Sequence, residues 1–222
     1  MNSVLSKTIN QKLWNEINRF GPEGDSFAPK TSKGFGSREE PDESAYEKII
    51  KDKSMLRNIL SYGRRNRFIG NFAWATPSPE AIAAIKTFAH NDTILEINAG
   101  SGLWARLLHD EGAKIIATDL KPHEYPRRHF NVRKMDHAKS IERYGSNCKV
   151  LMTVWPNYSE NYAAEALKAF QGNRVVYVGE YQGCTADDEF HDILSKEWHE
   201  GVCIKIPQWW GLHDYLFMYT RA

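Results

Sequence analysis

The sequence predicts an α/β fold built on a seven-stranded, mostly parallel sheet, with helices on both faces and an antiparallel hairpin at its C-terminal end. Three observations predict it. From about residue 80 onward, short apolar runs alternate with segments of helical periodicity, and such alternation pairs strands in parallel through right-handed crossovers. The run Ile94-Leu95-Glu96-Ile97 passes into a loop of small residues and then into a helix. The last two apolar runs, 202–206 and 215–219, have no helix between them and should pair antiparallel.

Taken in order, residues 1–45 read as an N-terminal extension, flexible or partly helical, ahead of a domain over 46–222. Leu13, Trp14, Ile17 and Phe20 recur at helical spacing and predict a short helix. Between 20 and 45, Gly21, Pro22, Gly24, Pro29, Gly34, Gly36 and Pro41 stand among Ser, Lys and Glu, a composition that buries little apolar surface. Tyr46, Ile49, Ile50, Leu56 and Ile59 are partly periodic and predict a second helix over 43–60. Pro79-Glu80 opens a helix over 80–89, with Ser78 as its N-cap. Strands at 93–97 and 114–119 flank a helix at 103–111, and a weaker strand lies at 132–135. Then come strand 150–155, helix 161–170, strand 174–179, helix 187–198 and the closing pair.

The length, 222 residues, suits one domain with a substantial core. Apolar residues make up 41% and charged residues 26%, as in ordinary globular proteins. With 29 basic and 28 acidic side chains there is no basic excess to draw the chain to nucleic acid. The three cysteines are scattered, none at metal-ligand spacing, which points to no metal and to a reducing compartment. The first residues lack the pattern of a signal peptide, and no apolar run is long enough to span a bilayer. A soluble, cytoplasmic protein is expected, with nuclear location left open.

The sharpest motif is Glu96-Ile97-Asn98-Ala99-Gly100-Ser101-Gly102-Leu103-Trp104. Glycines at 100 and 102 let backbone approach a ligand, and the helix that follows presents free N–H groups. A dinucleotide site wants Gly-x-Gly-x-x-Gly, with pyrophosphate on the helix N-terminus. Here Asn98 holds the first glycine position and Ala105 the third. Glu96, in the strand end, would meet a pyrophosphate with like charge but suits a cofactor with a cationic methionine moiety. Asp119 ends the next strand, where an acid can accept from both ribose hydroxyls. That second feature is common to nicotinamide and adenosylmethionine proteins and does not discriminate. Tight turns and helix caps are the plain alternatives for these residues.

These residues resemble the first motif of the class I S-adenosylmethionine-dependent methyltransferases: an acid, one residue, then Gly-x-Gly-x-Gly. The match is at Glu96, Gly100 and Gly102, the departure at Asn98, and the likeness spans about residues 70–222. Asparagine tolerates left-handed backbone angles, so the loop can survive the exchange. The resemblance implies a Rossmann-like methyltransferase sheet and S-adenosylmethionine as cofactor. By it, Asp119 holds the ribose, Asp136 lies near the adenine, and the segment Trp74-Ala75-Thr76-Pro77-Ser78 folds over the cofactor. That segment, Val154-Trp155-Pro156 and Gly183-Cys184-Thr185-Ala186-Asp187-Asp188 are also similar to a group of small methyltransferase-like proteins.

The methyl acceptor should lie over the carboxyl ends of the later strands. Trp155-Pro156-Asn157-Tyr158 is similar to the Asn/Asp-Pro-Pro-Tyr motif of amino-group methyltransferases, but tryptophan replaces the residue that binds the amine. Trp155 packs beside the cofactor, stacks on a flat or cationic group, or fills core. Glu180, at the end of its strand, is a candidate base. Asp187 and Asp188 suit a helix N-terminus. Cys184 is no nucleophile, since methyl transfer from a sulfonium needs none. The hairpin loop Gln208-Trp209-Trp210-Gly211-Leu212-His213-Asp214 offers pocket walls in its tryptophans and a proton acceptor in His213 beside Asp214, or else an ordinary surface turn. Arg64, Arg65 and Arg67 form a basic cluster near Phe68, Phe72 and Trp74, either a solvated face or a nucleic-acid contact.

The expectation is therefore a methyltransferase acting on a small-molecule acceptor. The alternatives are a catalytically silent binding module on the same fold, a nucleic-acid methyltransferase, and an NAD(P)-dependent oxidoreductase, which Glu96 disfavours. The sequence leaves the oligomeric state open.

Overall fold

The computed structural model describes residues 2–22 and 53–221. The loop expected between 20 and 45 falls mainly outside the described residues, as does the first part of the helix expected over 43–60. The sheet has seven strands in the order β3-β2-β1-β4-β5-β7-β6. They are β1 (Ile94–Ile97), β2 (Ile115–Asp119), β3 (Arg133–Lys134), β4 (Val150–Val154), β5 (Arg174–Gly179), β6 (Trp198–Lys205) and β7 (Tyr215–Arg221). The first five pair in parallel, while β7 inserts antiparallel between β5 and β6. This is the class I methyltransferase sheet expected from the sequence. Strand order reverses between β1 and β4, so a crevice opens there at the strands' carboxyl ends.

The central strands are mainly apolar because both faces are covered. Every residue of β1, β4 and β5 is buried. Alternation divides them between two cores. Ile94, Val150, Met152, Val176 and Met218 face one layer of helices. Leu95, Leu151, Val175, Tyr177 and Phe217 face the other. The first layer holds α1 (Asn2–Phe20), α2 (Lys53–Asn71), α3 (Pro79–Ala89) and α4 (Leu103–Asp110). The second holds α5 (His137–Tyr144), α6 (Tyr162–Ala169) and α7 (Asp188–Glu197).

Caps set several boundaries. Ser78 caps α3, accepting from the Ala81 N–H at 3.2 Å, with Pro79 in its first turn. Asp187 caps α7 through the Phe190 N–H at 3.0 Å, as its position suggested. Three elements differ from the sequence reading. Helix α2 runs on to Asn71, past the expected end at residue 60. Helix α5 went unforeseen, because only Ser140 and Ile141 of its eight residues are buried. Strand β6 begins at Trp198, the residue expected to end the preceding helix, and so four residues ahead of the strand expected from 202.

The N-terminal helix is part of the core. Leu13 and Ile17 sit in one apolar cluster with Phe68, Phe72 and Trp209. Glu16 pairs with Arg127 at 2.7 Å, and the Arg127 guanidinium lies over the Phe72 ring. The helix expected within the flexible or partly helical extension over 1–45 thus packs against the domain. Burying two such side chains stabilises by about 1.5–3 kcal/mol each. Removing residues 1–22 should lower the melting temperature by on the order of 10 °C, at about 2–4 °C per kcal/mol for a chain of this size. Thermal denaturation of the truncated chain measures this, and an unchanged midpoint would show that the helix adds nothing.

Candidate functional site

The loop between β1 and α4 is wound by three left-handed residues, Asn98 (φ 49°), Gly100 (φ 55°) and Gly102 (φ 77°). Asn98 tolerates the angle and does more than a glycine would. Its Nδ2 donates to the Val154 carbonyl at 2.9 Å and its Oδ1 accepts from the Thr153 hydroxyl, so it ties β1 to the end of β4. The Ala99 N–H donates to the Thr118 carbonyl at 3.0 Å, tying the loop to β2. Ser101 donates to the Phe72 carbonyl, and the Trp104 indole donates to the Ala75 carbonyl at 3.2 Å. The segment carrying Trp74 is thereby fixed across the loop. Pro77 is buried in the turn ahead of Ser78.

The two glycines serve different neighbours. A Cβ on Gly102 would lie 2.7 Å from Val132 Cγ2 and 2.8 Å from Phe130 Cβ, so this glycine permits close packing against the chain itself. A Cβ on Gly100 would lie 3.0 Å from Cζ and Oη of Tyr125, whose ring rests on the outer side of the loop. Asp119 reaches this loop from β2. Its Oδ2 accepts from the Gly100 N–H at 2.8 Å and its Oδ1 from the Lys121 N–H at 2.7 Å. Each oxygen retains a second lone pair. The carboxyl end of β3 is adjacent, since the Met135 N–H donates to the Asp119 carbonyl at 2.8 Å. Asp136 follows and caps α5, accepting from the Lys139 N–H at 2.8 Å.

Glu96 lies beneath the loop. It shares a face of β1 with Ile94, towards α4, and it is 1% exposed. Its carboxyl accepts from the Ala105 N–H in the first turn of α4, whose N-cap, Gly102, has no side chain to do so. Burial, reinforced by the Asp119 charge and partly offset by that hydrogen bond, pushes Glu96 up to about 8. Its Oε2 has no partner among the described residues.

A second group of side chains gathers at the ends of β4, β5 and the start of β7. Trp155 has φ 53°, a left-handed conformation that costs a bulky residue about 1–2 kcal/mol. The turn points its indole at Asp214, and Nε1 donates to Oδ1 at 2.8 Å. Trp155 stacks on Trp74 with ring centroids 5.0 Å apart and planes 16° apart. The Arg65 guanidinium lies 4.8 Å from the Trp155 ring and 5.4 Å from the Trp74 ring. Asp214 is fully buried, with Oδ2 unpartnered among the described residues, and burial pushes it up to about 6 against the pull of the Trp155 hydrogen bond.

Glu180 and His213 form a pair. Glu180 Oε1 accepts from His213 Nδ1 at 2.9 Å and from the His213 backbone N–H at 3.0 Å. A donating Nδ1–H leaves Nε2 as the basic nitrogen. Glu180 Oε2 accepts from Cys184 Sγ at 2.9 Å and from the Cys184 N–H at 3.3 Å. Burial raises the Glu180 carboxyl, but these hydrogen bonds outweigh it and hold the group below its ordinary value. Burial and the same carboxylate push the Cys184 thiol up to about 12, which leaves it protonated and inert.

The structure thus brings Glu96, Asn98, Ala99, Gly100, Ser101, Gly102, Asp119 and Asp136 around one end of the crevice. It brings Trp74, Trp155, Glu180, His213 and Asp214 together at the other. Trp209 does not wall the site: it is buried in the core, 5.5 Å from Phe68. The basic cluster is split. Arg65 turns inward to the tryptophans, Arg64 reaches the Gly21 carbonyl, and Arg67 the Gly63 carbonyl of its own helix. Arg65 was marked in the sequence only as part of the basic cluster, with nothing to separate it from Arg64 and Arg67, and Tyr125 was not recognised at all.

No family model matches the chain, and no curated protein matches it. Among solved structures, it is similar to a magnesium protoporphyrin IX methyltransferase of Synechocystis PCC 6803 with bound SAM, at 8% identity over 84% of this chain and 100% of that one, with a TM-score of 0.48. A 1,6-didemethyltoxoflavin-N1-methyltransferase of Burkholderia thailandensis, solved with its substrate and S-adenosylhomocysteine, matches at 11% identity over 84% and 93%, with a TM-score of 0.44. An N-methyltransferase of Bradyrhizobium japonicum WM9 matches at 12% over 64% and 94%, with a TM-score of 0.47. The fold assignment rests on the strand order and not on these scores.

Proposed function

We propose that this chain, which has the class I methyltransferase fold, binds S-adenosylmethionine at the β1–α4 loop and methylates a small molecule. The observation that carries the reading is the joint between Asp119 and Gly100. An acid at the end of β2 is held against the left-handed glycine, with one lone pair of each oxygen still open to a ribose diol. The donor set fits the adenosyl cofactor. Asp119 takes the ribose hydroxyls, Gly100 gives the nucleoside close access, Asp136 stands on the adenine side, and Trp74 with Trp155 closes the methionine side. When bound, the cofactor supplies a methyl group already activated on a sulfonium. The chain's own task is then alignment and removal of a proton. His213, oriented by Glu180, has its Nε2 available to take that proton.

One observation favours a second reading, a binding module without turnover. The Tyr125 ring fills the space a Cβ on Gly100 would take, so a nucleoside that uses that space must displace the ring or stack on it. Titration calorimetry with S-adenosylmethionine, S-adenosylhomocysteine and NAD decides between them. Micromolar binding of the adenosyl compounds and none of NAD is the expected result. Absence of heat with all three would sink the cofactor assignment and leave the binding module.

A further inference from the structure

Arg65 and Asp214 both lie against Trp155, and each keeps buried polar atoms without a partner among the described residues. Nε and Nη2 of Arg65, which form one edge of the guanidinium, are both buried without a partner among the described residues. Asp214 Oδ2 is in the same condition on a fully buried residue. The two charges act on each other, yet they form no ion pair with one another. Stacking on Trp155 and Trp74 holds the guanidinium plane, and the Trp155 indole holds the carboxylate by Oδ1. An unpaired guanidinium edge matches a planar carboxylate through two parallel hydrogen bonds. A plain anion is disfavoured, because Asp214 and Glu180 both lie near Arg65. A plain cation would leave the guanidinium edge unused.

We propose that this gap binds a flat molecule carrying a carboxylate with an amine or hydroxyl beside it. The carboxylate takes the Arg65 edge, the N–H or O–H donates to Asp214 Oδ2, and the ring lies against the tryptophan wall. The inference rests on the methyltransferase reading for its consequence, that this N–H or O–H is the methylated group, but the binding itself is separable from that reading.

The test is calorimetry on the full chain with 2-aminobenzoate and 2-hydroxybenzoate, and with benzoate and aniline as the two half-ligands. At least one of the two-group compounds should bind about tenfold or more tighter than either half-ligand, equivalent to about 1.4 kcal/mol. Arg65→Lys keeps the charge but loses the paired donors, and should weaken that binding by about tenfold or more. Asp214→Asn should erase the preference over benzoate. Failure of both two-group compounds to bind, parity with the half-ligands, or unchanged affinity in Arg65→Lys each overturns the proposal. The ligand comparison uses the unaltered chain and so stands even if a variant fails to fold. Titration of S-adenosylhomocysteine on the same sample separates the two ideas. If it binds and the benzoates do not, the gap is misread. If the benzoates bind and it does not, the cofactor assignment fails and the gap stands.

Discussion

Gly100→Val should lower affinity for S-adenosylhomocysteine by at least about 100-fold, equivalent to about 2.7 kcal/mol, while the domain stays folded. Two effects act together at this position. The φ of 55° is one that a β-branched residue adopts only under strain. The new Cβ would also lie 3.0 Å from the Tyr125 ring, so either the ring or the loop must give way. Shifting the loop breaks the Gly100 N–H bond to Asp119 and moves the carboxylate that is to hold the ribose. The core does not depend on this position, because the loop lies beyond the end of β1. Gly102 provides the contrast. A Cβ there collides with Val132 and Phe130, so Gly102→Ala should lower the melting temperature more than Gly100→Val does. Calorimetry and thermal denaturation on both variants separate the roles. Normal S-adenosylhomocysteine binding by Gly100→Val would show that the cofactor lies elsewhere.

The sheet was legible in the sequence because its central strands are buried on both faces and so read as mainly apolar runs. Val150–Val154 and Arg174–Gly179 needed no alternation to be seen. What was missed lacks that signal. Helix α5 is polar along most of its length. The strand expected over 132–135 was the weakest of the seven because β3 is only two exposed residues, placed by pairing with Thr118 and Asp119. The start of β6 is exposed edge strand, where neither apolar alternation nor a turn residue marks the change from helix.

The site divides in the same way. Residues at strand ends were readable, because parallel topology alone brings the carboxyl ends of β1, β2, β4 and β5 together. Trp155 and Glu180 meet for that reason, and antiparallel pairing brings Asp214, just ahead of β7, to the same end of the sheet. Caps were readable from local spacing, as at Ser78 and Asp187. The inward turn of Arg65, named only within the basic cluster, and the place of Tyr125 were not, because each arrives from outside the regular alternation. Arg65 comes from a helix that packs across the sheet, and Tyr125 from the irregular stretch after β2. Their contacts with Trp74 and Gly100 depend on chain paths that no periodicity encodes.

Glu96→Gln should make the folded chain more stable at pH 8 by on the order of 2–4 kcal/mol while leaving it nearly unchanged near pH 4.5. The sign follows from the proton. In the unfolded chain this carboxyl titrates at its ordinary 4.5, whereas in the folded chain burial lifts it to about 8. Below about pH 4.5 both states hold the proton and the group does not oppose folding. Between the two values the unfolded state releases its proton and the folded state keeps it, so stability falls by up to about 1.4 kcal/mol per pH unit. Above about pH 8 both are ionised and the loss levels off. Glutamine preserves the shape and still accepts from the Ala105 N–H, but it has no proton to lose. Denaturant titrations at pH 5, 6.5 and 8 should therefore show a steeper fall for the native chain than for the variant, and parallel slopes would sink the argument. The same proton bears on function. A neutral Glu96 at pH 7 attracts a cationic methionine group weakly, so cofactor binding that draws on its charge must ionise it and release a proton. Binding heats measured in two buffers of different ionisation enthalpy should then differ for the native chain and coincide for Glu96→Gln.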